Sequence, residues 1–149
     1  MRLKFINVDE NNKNLLENIE LKKEQKNMVD LPIEAYEEAK KYKYSFPIVV
    51  LDETKVIAFF IYESLNDNFT DFLVWGFIVS SQFQHQNYGT QIMKQFLLRL
   101  NNKYKLKRIE IAYVPGNTIA KNLYRKLGFK KNGKINDDGE IEMDMNVGQ

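Results

Sequence analysis

"FLVWGFIVSSQFQHQNYGTQIMKQFLLRL", residues Phe72 to Leu100, is the stretch on which the fold turns. Its opening, Phe72–Val79, is an unbroken apolar run of strand length, the pattern of a strand covered on both faces. Its close, Tyr88–Asn101, puts Ile92, Met93, Phe96, Leu97 and Leu100 on one face of a helix. A short polar loop joins them. Such a loop presents backbone N–H groups that have no acceptor within the helix, and the helix dipole adds positive potential, so together they suit an anion. Gly89 is the only glycine in it, and the lysine of a nucleotide-binding P-loop is absent. His85 and Asn87 stand there instead, and both are residue types that tolerate positive φ.

Outward from this unit the elements follow in order. "RLKFINV" alternates as a first strand, and "NKNLLENIELKKEQKNM" places Leu15, Leu16, Ile19 and Leu21 near helical spacing. "LPIEAYEEAKKY" predicts a second helix with Asp30 as cap and Pro32 in the first turn. "PIVVL" and "VIAFFIYES" form a hairpin across "DETK". After Phe72–Asn101 come the strand "KRIEIAYV" and the helix in "GNTIAKNLYRKLGF", capped by Asn117 and stopped by a left-handed Gly128. "FKKNGKI" and "GEIEMDM" close as a hairpin around Asn136–Gly139. The order β-α-α-β-β-β-α-β-α-β-β implies an α/β (α+β) domain over residues 1–149. Its sheet is mixed and mostly antiparallel, with one parallel central pair and flanking helices. Ligands of open sheets sit beyond the carboxyl ends of parallel strands, which brings Val79–Gly89 beside Pro115–Asn117.

A chain of 149 residues with 44% hydrophobic content is long enough for a core of its own. It has no cysteine and one histidine, His85, so neither thiolate chemistry nor a metal site is expected. There is no signal-like leader and no apolar run of membrane length, which makes a cytoplasmic protein without membrane partners the natural reading. No aromatic-basic pattern suggests nucleic acid. Residues 1–74 carry 10 Lys+Arg against 14 Asp+Glu, and residues 75–149 carry 12 against 6. One half thus favours a cationic partner and the other an anionic one, with scattered solvated charge as the plain alternative.

Two stretches together resemble the GNAT acetyltransferases. "QHQNYG" is similar to their Q/R-x-x-G-x-G/A signature, with Asn87 in the first glycine place and Gly89 in the second. "NTIAKNLYRKLGF" is similar to N-x-x-A-x-x-L-Y-x-x-x-G-F. Within that family the ending "LYRKLGFKKNGKINDDGE" resembles the bacterial spermine/spermidine (polyamine) N-acetyltransferases. The resemblance implies the acyl-CoA N-acyltransferase fold and an acetyl-CoA-dependent transfer to a primary amine, a polyamine first. The transfer is direct, in a ternary complex. The resemblance also allows a homodimer. A protein or peptide amine, an antibiotic amine, or a non-catalytic acyl-CoA-binding module are the alternatives.

On that resemblance the amides of Gln84, His85, Gln86, Asn87, Tyr88, Gly89 and Thr90 hold the pyrophosphate. Phe77, Ile78 and Val79 meet the pantetheine arm, and a strand N–H meets the reacting carbonyl oxygen. Gly76 fits a bulge that parts the strands, or else a packing contact. Asn117 bonds the coenzyme arm or merely caps its helix, beside Ala120. Tyr124 reads from spacing as a core tyrosine; the resemblance makes it the acid that protonates the leaving thiolate. Arg125 and Lys126 either meet phosphate or, as the plainer reading, are solvated helix charges. Glu63 and Asp71 are the candidate bases, and Glu20, Glu24 and Glu34 are candidates to attract the amine.

Overall fold

The computed structural model describes residues 2–26 and 30–147. Its strands are β1 (Leu3–Asn7), β2 (Ser45–Asp52), β3 (Lys55–Ser64), β4 (Asp71–Val79), β5 (Arg108–Tyr113), β6 (Lys130–Ile135) and β7 (Ile141–Asn146). Its helices are α1 (Pro32–Ala39), α2 (Tyr88–Lys103) and α3 (Thr118–Leu127). All seven strands form one sheet in the order β1-β2-β3-β4-β5-β7-β6. Pairing is antiparallel except between β4 and β5, which α2 connects as a crossover.

The apolar run Val56–Ile61 is buried throughout because β3 is covered on both faces. On one face Phe60, Phe72, Val74, Ile109, Ile111 and Met143 pack under Ile92, Met93, Phe96 and Leu100 of α2 and Tyr124 of α3. On the other, Val49, Phe59, Ile61 and Ile78 pack under Ala35, Tyr36 and Ala39 of α1 and under Leu16.

The early chain departs from the sequence expectation. In place of a long first helix there are two short 3-10 turns, Lys13–Asn18 and Lys23–Gln25; the expected helix's last residues, Asn27 and Met28, lie outside the described residues. Leu16 and Ile19 are buried, but Ile19 turns extended so that Glu20 can bond to the end of β4. Long-range docking overrides the local helical spacing here. Nor does Asp30 cap α1. Leu31 is the N-cap residue, and its amide donates to the Glu34 carboxylate at 3.3 Å. Pro32 does open the helix, and Asn117 and left-handed Gly128 bound α3 as expected.

A bulge interrupts β4. Ile61 pairs with Trp75 and Phe59 with Ile78, so Gly76 and Phe77 together face Phe60. Gly76 has φ +66, while a Cβ there would meet nothing nearer than 3.6 Å. The dihedral, not the space, selects glycine. Gly76→Ala is therefore expected to cost about 1–2 kcal/mol. Urea unfolding checks this; an unchanged midpoint would mean that the bulge is not held in that conformation.

Candidate active site

The β4–β5 ladder covers only Asp71–Val74 against Arg108–Ile111. Beyond it β4 stays with β3 up to Val79, and β5 stays with β7 up to Tyr113, so the two central strands part. The residues from Trp75 to Val79 thus offer an edge with no ladder partner on the β5 side. Ladder amides and carbonyls freed in this way are ready for an extended ligand.

At the end of that gap lies the polar loop. His85 has φ +62 and Asn87 has φ +68, the conformations that glycine would otherwise supply. Asn87 is the N-cap residue of α2 and gives no side-chain cap bond. The amides of residues 85–90 donate to no described group, leaving a row of N–H donors at the positive end of a 16-residue helix. Gln84 differs from the rest: its amide goes to the Ser81 carbonyl at 3.4 Å, and its side-chain Nε2 donates to the Val79 carbonyl at 2.9 Å and to Gln25 Oε1 at 3.0 Å. It braces the loop instead of lining it. The Tyr88 hydroxyl donates to Asp52 Oδ2 at 2.6 Å, tying the start of α2 to the β2–β3 turn.

The segment before α1 forms the loop's other wall. The amide of Glu20 donates to the Oγ of fully buried Ser80 at 2.9 Å, and the Ser81 amide returns a bond to the Glu20 carbonyl at 2.8 Å. Lys22 Nζ lies 3.3 Å from His85 Nε2, so the early segment reaches the loop through this pair. Glu20 and Glu24 are exposed on this segment and stand beside the anion loop, while Glu34 is exposed on the first turn of α1.

Helix α3 closes the site from the other side. A Cβ on Gly89 would come within 3.2 Å of Leu123, 3.9 Å of Val79 and 4.0 Å of Phe77, so α2, α3 and the end of β4 meet at Gly89. Tyr124, which follows Leu123 on α3, is buried against Phe129, and its hydroxyl bonds to no described group. Burial, with the Glu140 charge in second place, pushes the phenol well above its ordinary pKa, so it stays protonated. Asn117 Oδ1 accepts the Ala120 amide at 3.2 Å, so the capping role is made.

The two candidate bases are separated. Glu63 lies near the bulge, where Trp75 Nε1 donates to its Oε1 at 3.2 Å. Burial raises its carboxyl pKa, with the Trp75 bond opposing. Asp71 is the first residue of β4, five residues before Gly76 and about 17 Å from it along an extended strand. There it accepts from Thr70 Oγ1 at 2.8 Å, at the end remote from the loop. The start of an apolar run does not reveal which end of the strand faces the ligand. Of the two, Glu63 is therefore the carboxylate near the gap. Sequence reading missed Lys22, Gln25, Ser80 and Trp75, since their contacts join residues too distant in the chain for periodicity to register; the polar pair Ser80–Ser81 ending an apolar run was the one local hint. Among the described residues no helix is long and apolar enough to cross a membrane, and no group of three or more His, Asp or Glu could hold a metal.

Residues 13–129 match the Acetyltransferase (GNAT) family. The chain is 30% identical over 113 residues to the spermine/spermidine N(1)-acetyltransferase of Bacillus subtilis (strain 168), covering 72% of this chain and 74% of that protein. Its fold is that of the aminoglycoside acetyltransferase AAC(6')-Ib solved with Parmomycin and acetyl-CoA. There the TM-score is 0.79 at 14% identity, covering 98% and 94% of the two chains. The spermidine/spermine N-acetyltransferase SpeG from Vibrio cholerae, solved in mutant forms, aligns with TM-score 0.70 at 16% identity over 97% and 95%.

The Ser80 hydroxyl is the buried acceptor that fastens the early segment to the loop. Ser80→Ala strands the Glu20 amide and is expected to cost about 1–2 kcal/mol. Hydrogen exchange at that amide should accelerate at least tenfold; unchanged protection would mean that the bond does not hold the segment.

Proposed function

The chain belongs to the GNAT acetyltransferase family, and from that premise we propose that it transfers an acetyl group from acetyl-CoA to a primary amine of a polyamine such as spermidine or spermine. The observation that carries the reading is the row of undonated amides at residues 85–90, set at the mouth of the β4–β5 gap. It suits a diphosphate with an extended arm behind it. The acceptor is supported by the identity to a spermine/spermidine N(1)-acetyltransferase and by the excess of acidic over basic residues in the first half.

Amides of residues 85–90 take the pyrophosphate, and the unladdered edge of Phe77, Ile78 and Val79 takes the pantetheine arm. Glu20, Glu24 and Glu34 attract the polycation, and Asn117 steadies the arm with the side-chain nitrogen that its cap bond leaves over. The amine arrives protonated, with a pKa of about 10. Glu63, directly or through a water, removes one proton. The nitrogen lone pair then forms a C–N bond to the thioester carbonyl, whose developing negative charge a β4 amide meets. The C–S bond breaks, the thiolate takes the proton of the Tyr124 hydroxyl, and the acetylated nitrogen gives up its second proton, through water, to the phenolate so formed. The low polarity that keeps Tyr124 neutral also keeps that proton available at neutral pH. The chain has no cysteine to carry an acyl group, which favours direct transfer in a ternary complex. A cytoplasmic setting fits such a substrate.

Tyr124→Phe is expected to lower kcat by roughly 100-fold while the KM for acetyl-CoA changes less than twofold. Because the hydroxyl bonds to none of the described residues, stability should not fall; unchanged turnover would take Tyr124 out of the reaction. Glu63 must be ionised to act, so kcat/KM should decline as pH falls through its raised pKa, above the ordinary carboxylate range. In Glu63→Gln that acid limb should vanish along with most of the activity, and a limb that survives would reassign the base. Mass spectrometry of spermidine, spermine and a lysine peptide incubated with enzyme and acetyl-CoA tests the acceptor. Acetylation of the polyamines is expected, and acetylation of the peptide alone would overturn the assignment.

A further inference from the structure

The excess positive charge of residues 75–149 is not placed on the anion loop. Residues 84–90 contain no lysine or arginine, and the cation that reaches the loop, Lys22, comes from the first half of the chain. Some of that charge gathers elsewhere. A cleft of about 500 Å³ opens between α3 and the β6–β7 hairpin, with Lys121 and Arg125 on one wall, Lys130 and Lys131 on the other, and buried Phe129 and Met143 in its lining. None of the four cations is paired with a carboxylate among the described residues, whereas Lys13, Lys40, Lys41 and Arg108 all are.

Two plain accounts of these charges fall short. Arg125 lies in the last turn of α3 and so complements the helix dipole, but Lys121 does not share that place. Lysines on an edge strand such as β6 discourage edge pairing, but that purpose asks for no cationic partner across a cleft. A second observation points the same way. A smaller cleft of about 150 Å³ shares Lys121 and Lys131; Tyr113 lines it, and so does Asn117, the residue beside the coenzyme arm, whose Oδ1 is taken up by the α3 cap bond. Tyr113 is only 4% exposed, and its hydroxyl is buried with no hydrogen-bond partner among the described residues. An orphaned buried donor is unfavourable unless something supplies an acceptor.

We propose that this paired cleft binds a small oligophosphate anion, a di- or triphosphate group, at a site distinct from the loop before α2. Lys121, Arg125 and Lys131 bring positive charge to the cleft that such a group would neutralise, while Lys130 stands across the ladder from Asp144, and like charges gathered in one cleft repel one another. The lysines act as adjustable point charges on phosphate oxygens. An oxygen that reaches the smaller cleft accepts from the Tyr113 hydroxyl. The volume suits a small anion better than a nucleic-acid duplex.

Amide NMR titration of the intact protein with sodium tripolyphosphate tests this, repeated with coenzyme A at saturation. The amides of Lys121, Lys130, Lys131 and Tyr113 should shift along a saturable curve in both series, with an affinity that weakens as salt is added. The double variant Lys130→Gln/Lys131→Gln should weaken binding at least tenfold, and Tyr113→Phe about threefold, with the KM for acetyl-CoA unchanged in the double variant. Shifts confined to residues 85–90, equal affinity in the double variant, or loss of binding in the presence of coenzyme A would each overturn the proposal.

Discussion

The parting of β4 from β5 after Val74 is the constraint on which the rest of the site depends. Up to that point the two strands satisfy each other's backbone groups; beyond it each keeps only its outer neighbour. A bulge at Gly76 turns β4 aside, and it can do so because glycine accepts the left-handed dihedral at that position. Unpaired ladder groups in a covered sheet are unfavourable unless a ligand supplies partners. The sheet is thus stable on either side of the gap and unsatisfied within it. The helix that must span the parallel pair, α2, starts at the same end of the sheet, which puts its free amides at the mouth of the gap.

The loop is built by different means from a glycine-rich one. Left-handed backbone at non-glycine residues costs on the order of 1–2 kcal/mol each, less for asparagine, and both His85 and Asn87 adopt it. The surrounding bonds over-determine that shape. Gln84 bridges to Val79 and Gln25, Lys22 meets His85, Tyr88 is tied to Asp52, and Ser80 holds Glu20. Strain held by a frame of this kind favours a preorganised donor set over a flexible one. The same frame keeps Ile19–Lys22 out of a continuous helix, because the loop needs Glu20 at the end of β4 and Lys22 beside His85.

Much of this was legible in the sequence, for identifiable reasons. The crossover pair followed from an apolar run, a polar loop and a 3.6-residue stripe, and α3 from Asn117 and Gly128 at its ends. The positive φ of His85 and Asn87 followed from their residue types, and the bulge from one glycine in a bulky strand. Each of these signals is local. What escaped is non-local: the bond from Glu20 to buried Ser80, the Trp75–Glu63 bond and the separation of Asp71 from the gap. A propensity window over residues 12–28 reports what that segment would do alone, and here its partner lies 60 residues away.

The charge asymmetry between the halves also acquires a physical sense. The acidic half supplies the carboxylates on the segments around the gap, and the basic half places four of the six cations of α3 and β6 around one cleft, clear of the loop. The crystal structure of the protein with coenzyme A bound tests the central claim most directly. Diphosphate oxygens are expected within about 3.2 Å of the amide nitrogens of Tyr88, Gly89 and Thr90, with the pantetheine arm lying along Phe77–Val79. Coenzyme bound elsewhere, with those amides left to solvent, would contradict it.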